Sequence, residues 1–259
     1  MTFSLFRVAW TLLHFLLSAV QFIECSLGFV RRKYEDLLHK GCVENELSLI
    51  SNHVKLLEKI PSHLVVILGN ESVSYRDLAN ITVWCIAAGI SFISFYDHHG
   101  VLKRNEAEFF KVLTEIRKGH IENIIWGKKT ATHGVLKKNG TKNGITPSQK
   151  ICVNIFSLSD GKGAVVELTK SLCRSTLTSQ LKSSNINEAL IQEKLQAETE
   201  IPDPDLALYC GDIFSTYGFL PWQIHVTEFL QLHSHHKIRV KDFIVLLEKY
   251  GKCVQRFGK

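Results

Sequence analysis

Apolar residues recur along this chain at two spacings, and their alternation lays out the fold before any motif is considered. Five apolar runs have strand length: Leu64–Leu68, Ile90–Phe95, Ile121–Trp126, Ile151–Phe156 and Leu206–Tyr209. Between them, apolar positions three and four apart predict helices over Tyr75–Ala88, Glu106–Lys118, Gly163–Leu181 and Asn185–Ala197. Strands that alternate with helices of this length imply right-handed crossovers, and so an α/β domain with a mostly parallel sheet flanked by helices. In such sheets ligands bind beyond the carboxyl ends of the strands. Upstream, Leu37, Leu38, Val43, Leu47, Ile50, Val54 and Leu57 predict two short helices over Lys33–Lys59, broken near Gly41. The expected organisation is a segment 1–32, a helical linker 33–59 and a single domain over 60–259, without internal repeats.

The segment 1–32 differs in kind. Val8–Ile23 is apolar apart from Thr11, His14, Ser18 and Gln21, and the apolar character resumes after Glu24 and Cys25 as far as Val30. A helix over Val8–Val30 would be roughly 34 Å long against a hydrocarbon core of about 30 Å, so it is read as an N-terminal membrane helix. Arg31, Arg32 and Lys33 follow it and only Arg7 precedes it, which keeps the C-terminal side in the cytosol. Two other readings stand beside this one. A cleaved signal peptide would use Val8–Val20, and an interfacial amphipathic helix would accommodate His14, Gln21 and Glu24. Glycans at the sequons of Asn70, Asn80 or Asn139 would require a lumenal domain.

Composition sharpens the compartment. The seven cysteines are dispersed and include no C-x-x-C pair, a pattern of reduced thiols rather than of a disulfide framework or zinc site. The net charge of +6 is unevenly placed: six lysines and no acid lie between Gly127 and Lys150, among turn-forming glycines. This stretch reads as a solvated loop or as a contact for anionic lipid headgroups. No aromatic platform is interleaved with the lysines, which argues against nucleic acid.

Several local clusters carry less chemistry than their composition suggests. His233, His235 and His236 read as a solvated turn, with no acidic or cysteine ligand adjacent in sequence, and no metal site is assigned. Asp203-Pro204-Asp205 reads as a rigid strand lead-in fixed by its prolines. Asp160-Gly161-Lys162-Gly163 reads as a turn before a helix. The ending Arg256-Phe257-Gly258-Lys259 has two readings, a frayed basic tail or a diphosphate clamp made of a guanidinium fork beside an unhindered backbone.

The segments Ile201-Pro-Asp-Pro-Asp-Leu-Ala-Leu-Tyr209, Gly218-Phe-Leu-Pro-Trp-Gln-Ile224 and Thr227-Glu-Phe-Leu230, taken together, resemble the C-terminal half of cis-prenyltransferases. With the Arg-x-Gly ending, they are similar to the accessory subunits of dehydrodolichyl diphosphate synthase, the Nogo-B receptor family. The resemblance spans residues 60–259 and is strongest over 201–259.

The resemblance implies a parallel sheet with a hydrophobic tunnel, and a Mg²⁺ ion held by an Asp-Gly-Asn at the end of the first strand. Here that triplet is Leu68-Gly69-Asn70. An alkyl group cannot ligate a hard cation, so Leu68 is a core residue and the chain has no catalytic residue of its own. The family's arginines after the fifth strand are also missing from Tyr209–Tyr217. Gly69, Asn70, Tyr96 and Arg104 look like decayed positions of the allylic site. Pro221, Trp222, Glu228 and Phe229 fall where the family forms its dimer interface, with a structural capping or pairing role the other reading of Glu228, and Arg256, Phe257 and Gly258 fall where its tail binds diphosphate in the partner's site. The implied function is a non-catalytic subunit at the endoplasmic reticulum membrane. It would assemble with a catalytic, Mg²⁺-binding subunit that adds isopentenyl diphosphate units to farnesyl diphosphate for dolichol synthesis and protein glycosylation. A membrane receptor or scaffold on a degenerate prenyltransferase fold is the alternative.

Overall fold

A computed structural model describes residues 10–20, 22, 43–116, 124–127, 150–199 and 201–254. The segments Lys33–Cys42, the lysine-rich stretch after Gly127 and Arg256–Lys259 lie outside the described residues. The chain divides into two compact units, Met1–Glu46 and Leu47–Lys259. In the first, residues 10–20 form helix α1, whose Leu12, Phe15 and Leu16 are exposed. Among the described residues, no helix is long and apolar enough to cross a membrane.

Helix α2 (Val43–Val54) begins in the first unit and continues into the second. The second unit then runs β1 (His63–Ile67), α3 (Tyr75–Ala88), β2 (Phe92–Tyr96), α4 (Val101–Arg104), α5 (Glu106–Ile116), β3 (Ile124–Trp126), β4 (Ile151–Phe156), α6 (Lys162–Leu177), α7 (Glu188–Thr199), β5 (Leu206–Cys210), β6 (Glu228–Leu232) and α8 (Val240–Lys252). The six strands form one sheet in the order β3-β4-β2-β1-β5-β6, and every pair is parallel. The parallel α/β expectation is met. Its element list lacks β6 and α8, and it places the second strand two residues early. Gly89, at φ +84°, and Ile90 close the C-terminus of α3 by donating to Ile86 and Cys85, so the strand cannot begin before that cap is complete.

Helices α2, α3, α5 and α8 contribute to a large apolar core that includes Ile50, Leu78, Trp84, Phe109, Phe243 and Leu247. The linker expected over 33–59 is corrected from Leu47 onward, because Ile50 has no exposed surface and Leu47, Val54 and Leu57 pack against the same core. A smaller cluster holds Val65, Ile67, Tyr96, Phe156, Ala207, Phe219 and Leu220. Because β1 is central, all five of its residues are buried.

The lead-in 201–205 fixes the amino ends of three strands. Asp205 Oδ2 accepts from the N–H groups of Ser62 (2.7 Å) and His63 (3.0 Å), while the Asp205 carbonyl accepts from Glu228 N–H (3.0 Å). His63 is fully buried; its Nδ1 donates to the Pro202 carbonyl (2.7 Å) and its Nε2 accepts from Ser94 Oγ (2.8 Å). Burial lowers the pKa of His63 to about 4, so the folded protein keeps it neutral where an unfolded chain would protonate it. Stability from this group is complete above about pH 6.5 and declines as the pH falls toward 4, by about 3 kcal/mol over the whole window. Urea titrations at pH 7 and pH 5 are expected to show this decline, and His63→Gln is expected to flatten it. An equal slope in the variant assigns the effect to other groups.

Candidate functional site

The carboxyl ends of β1, β2 and β5 are where a parallel sheet binds ligands, and here that space is packed with protein. Leu68 has no exposed surface, belongs to the large core and donates its N–H to the Tyr96 carbonyl at 3.0 Å. The next residue, Gly69, has φ +62°. A Cβ there would lie 3.1 Å from the Cys210 carbonyl oxygen and 3.3 Å from the Tyr217 ring. Tyr217 itself sits in the left-handed region at φ +50°, a conformation that costs a non-glycine residue about 1–3 kcal/mol unless its surroundings fix it. They do so here: its ring stacks on His98 (4.8 Å between centroids, 19° between planes), and its carbonyl accepts from the buried Tyr96 hydroxyl at 2.7 Å.

Several other groups around this mouth make structural contacts. Asp97 caps α4, accepting from the N–H groups of His99 (2.9 Å) and Leu102 (3.0 Å), and Arg104 Nη1 donates to the His99 carbonyl at 3.0 Å. Asp160 accepts from Ser157 N–H and pairs with Lys103 at 2.6 Å. Burial, then His99, holds His98 below the ordinary histidine pKa. The loop 211–217 after β5 contains no cation. The residues present therefore do not fit a Mg²⁺–diphosphate: Leu68 has no oxygen donor, and Tyr217 and His98 stand over the Gly69 backbone that such an anion would have to approach.

Sequence comparison places the chain. No family model matches it. It is 35% identical over 209 residues to the mouse dehydrodolichyl diphosphate synthase complex subunit Nus1, covering 80% of this chain and 68% of the mouse protein. The human subunit NUS1 is 35% identical over 206 residues, covering 78% and 68%. The chain belongs to the NUS1 family. The Schizosaccharomyces pombe subunit nus1 is 24% identical but aligns over 86% of this chain and 85% of its own length. Among solved structures, lavandulyl diphosphate synthase from Lavandula x intermedia, in complex with dimethylallyl diphosphate, superposes with a TM-score of 0.50 at 17% identity. The match covers 77% of this chain and 99% of that one, and shows the shared cis-prenyltransferase fold.

In this NUS1-family chain the residues singled out from sequence fall into three places. Leu68 lies in the core, at the packed mouth. Pro221 is exposed and Trp222 half-buried on the loop before β6, with the Trp222 indole N–H donating to Gln192 of α7. Glu228 and Phe229 are half-buried on β6, the edge strand. Phe229 packs edge-on against Phe214 (5.2 Å), which packs likewise on Tyr209 (5.1 Å). Beside them Ile213, Phe214 and Val226 are exposed, Ile213 at 79%. Arg256, Phe257 and Gly258 lie outside the described residues.

The histidine cluster is a correction. His233 is exposed as expected of a solvated turn, but His235 has no exposed surface and its Nδ1 lies 2.6 Å from Glu71 Oε2. The acid is 164 positions away in sequence and reaches the turn because β1 and β6 both flank β5. Sequence adjacency carries no signal of it.

Proposed function

We propose that this chain is the non-catalytic, activity-essential subunit of a dehydrodolichyl diphosphate synthase complex. In that complex a second cis-prenyltransferase chain binds Mg²⁺ and adds isopentenyl diphosphate units in cis to farnesyl diphosphate. The observation that carries the reading is Leu68, an alkyl side chain sealed in the core at the strand end where the active fold needs a carboxylate. Family membership at 35% identity to the NUS1 subunits supports the role in the complex. The exposed apolar group at Ile213, Phe214 and Val226, beside edge strand β6, supports this face as the partner-binding surface. We further place the chain at the endoplasmic reticulum membrane, held by the apolar segment Val8–Val30, with the folded domain on the cytosolic side and Lys128–Lys150 toward anionic lipid. Product oligomers would serve dolichol synthesis and protein glycosylation.

The test is reconstitution. The full chain alone is expected to give no transfer from isopentenyl to farnesyl diphosphate, and co-expression with its catalytic homologue to give active enzyme. Turnover by the chain alone at the rate of the mixture overturns the proposal. Co-purification without any gain in activity favours the receptor reading. Trp222→Ala is expected to weaken subunit association by about 2 kcal/mol or more, as loss of a large aromatic anchor does at interfaces. An unchanged dissociation constant assigns Trp222 to the Gln192 contact alone.

A further inference from the structure

The loops leaving β1 and β6 carry a group of side chains that the proposed function leaves unused. Glu71, His235 and His236 each offer a ligand atom within 4.8 Å of the others. His235 is sealed from solvent, and Glu71 and His236 are half-buried. Glu71 Oε2 accepts from His235 Nδ1 (2.6 Å) and from the His235 backbone N–H (3.2 Å), so the carboxylate is already aimed at the ring. His236 Nε2 lies 2.7 Å from the Ser72 carbonyl. It therefore carries the proton there, which orients the ring and fixes its tautomer.

We propose that Glu71, His235 and His236 bind one transition-metal cation of the zinc type. Two neutral imidazoles and one carboxylate form a donor set that suits Zn²⁺, with a fourth position left for water. It does not suit Mg²⁺, which prefers oxygen ligands, so this site is distinct in chemistry from the family's diphosphate-bound metal. The cation displaces the Nδ1 proton now given to Glu71. The ring then carries its proton at Nε2 in place of accepting from the Ser74 amide at 3.2 Å. The bound metal would join the β1–α3 loop to the β6–α8 loop, a cross-link that stabilises the native state by mass action.

The experiment uses the untagged full chain, stripped with chelator and titrated with Zn²⁺ by calorimetry and with Co²⁺ by visible absorption. One equivalent is expected to bind, with a Co²⁺ spectrum lacking the thiolate charge-transfer band that cysteine ligation would add. Zn²⁺ is expected to raise the melting temperature of the wild type. His236→Ala is expected to lower Zn²⁺ affinity by at least about tenfold and to abolish the rise, since even supporting groups around metal ligands are worth about 10–100-fold. Glu71→Gln preserves side-chain shape and provides the same test if His236→Ala folds poorly. No saturable binding overturns the proposal. So does wild-type affinity in both variants, which assigns the cation to other histidines or to thiols.

Discussion

Gly161→Ala is expected to destabilise the domain by about 3 kcal/mol or more, because the side chain it introduces meets backbone that cannot rotate away. A Cβ at Gly161 would lie 2.2 Å from the Gly218 carbonyl oxygen and 3.1 Å from the Leu220 nitrogen. The same approach is fixed by Lys162 N–H, which donates to the Gly218 carbonyl at 2.8 Å, and by Gly161 N–H, which donates to Ser157 at 3.2 Å. Relief requires the segment 217–220 to lift, which carries away Phe219 and Leu220, both essentially sealed from solvent, and the Tyr217 contact over Gly69. Gly127→Ala is the control. That glycine has φ +63° but, among the described residues, no atom within 4 Å of its would-be Cβ, so only the backbone term of about 1–2 kcal/mol applies. Chemical denaturation of both variants separates the two. Equal losses would show that Gly161 matters through its backbone dihedrals and that the contact relaxes freely.

Arg256→Ala and deletion of Arg256–Lys259 are expected to leave the complex assembled and to impair substrate capture. If the guanidinium and the N–H groups near Gly258 hold the diphosphate of isopentenyl diphosphate in the partner's site, losing the charge-assisted contact costs roughly 1.5–3 kcal/mol, or about 10- to 150-fold in kcat/KM. Gly258→Ala probes the backbone half of the clamp. The deletion is separable from a folding defect. Helix α8 ends at Lys252, with Cys253 N–H closing on the Tyr250 carbonyl, and its buried Phe243, Leu247 and Tyr250 all precede the cut. The melting temperature should therefore hold while kcat/KM at subsaturating isopentenyl diphosphate falls. Full transfer by the truncated subunit would return the tail to a frayed basic end.

How much of this was legible depends on the range of the signal. The bounds of α3 and β4 read directly, because continuous or regularly spaced apolar positions reflect burial against both sheet neighbours and helices. β6 hid for the opposite reason. Glu228-Phe229-Leu230-Gln231-Leu232 is an edge strand, four of its five residues half-buried, and its mixed composition resembles a loop. α8 had a readable period in Val240, Phe243, Ile244, Leu247 and Tyr250, together with Asp242 accepting from the Arg239 guanidinium and backbone at its start. The missing metal carboxylate at Leu68 was visible in the sequence through the resemblance to cis-prenyltransferases, whereas the obstruction above Gly69 was not. It depends on Tyr217 and His98 arriving from two different loops, and on a left-handed tyrosine that no composition announces. The Glu71–His235 contact was hidden by the same long sequence separation.

The position of β1 has a consequence for how the chain is made. Its neighbour β2 follows within one helix, but its other neighbour, β5, belongs to a segment whose Asp205 clamps Ser62 from 143 positions away. On the ribosome, β1 to β4 can therefore form a half-sheet whose exposed border is β1 itself, the strand His63-Leu-Val-Val-Ile67 that is wholly buried in the finished protein. Such an open apolar border is a template for pairing with other chains, and it persists until residues 206–210 have been synthesised. A chain cut short before Leu206 is then more than a subunit without its last two strands. It is a sheet left open along its most adhesive strand, a substrate for chaperones and proteases rather than a partner for the catalytic chain.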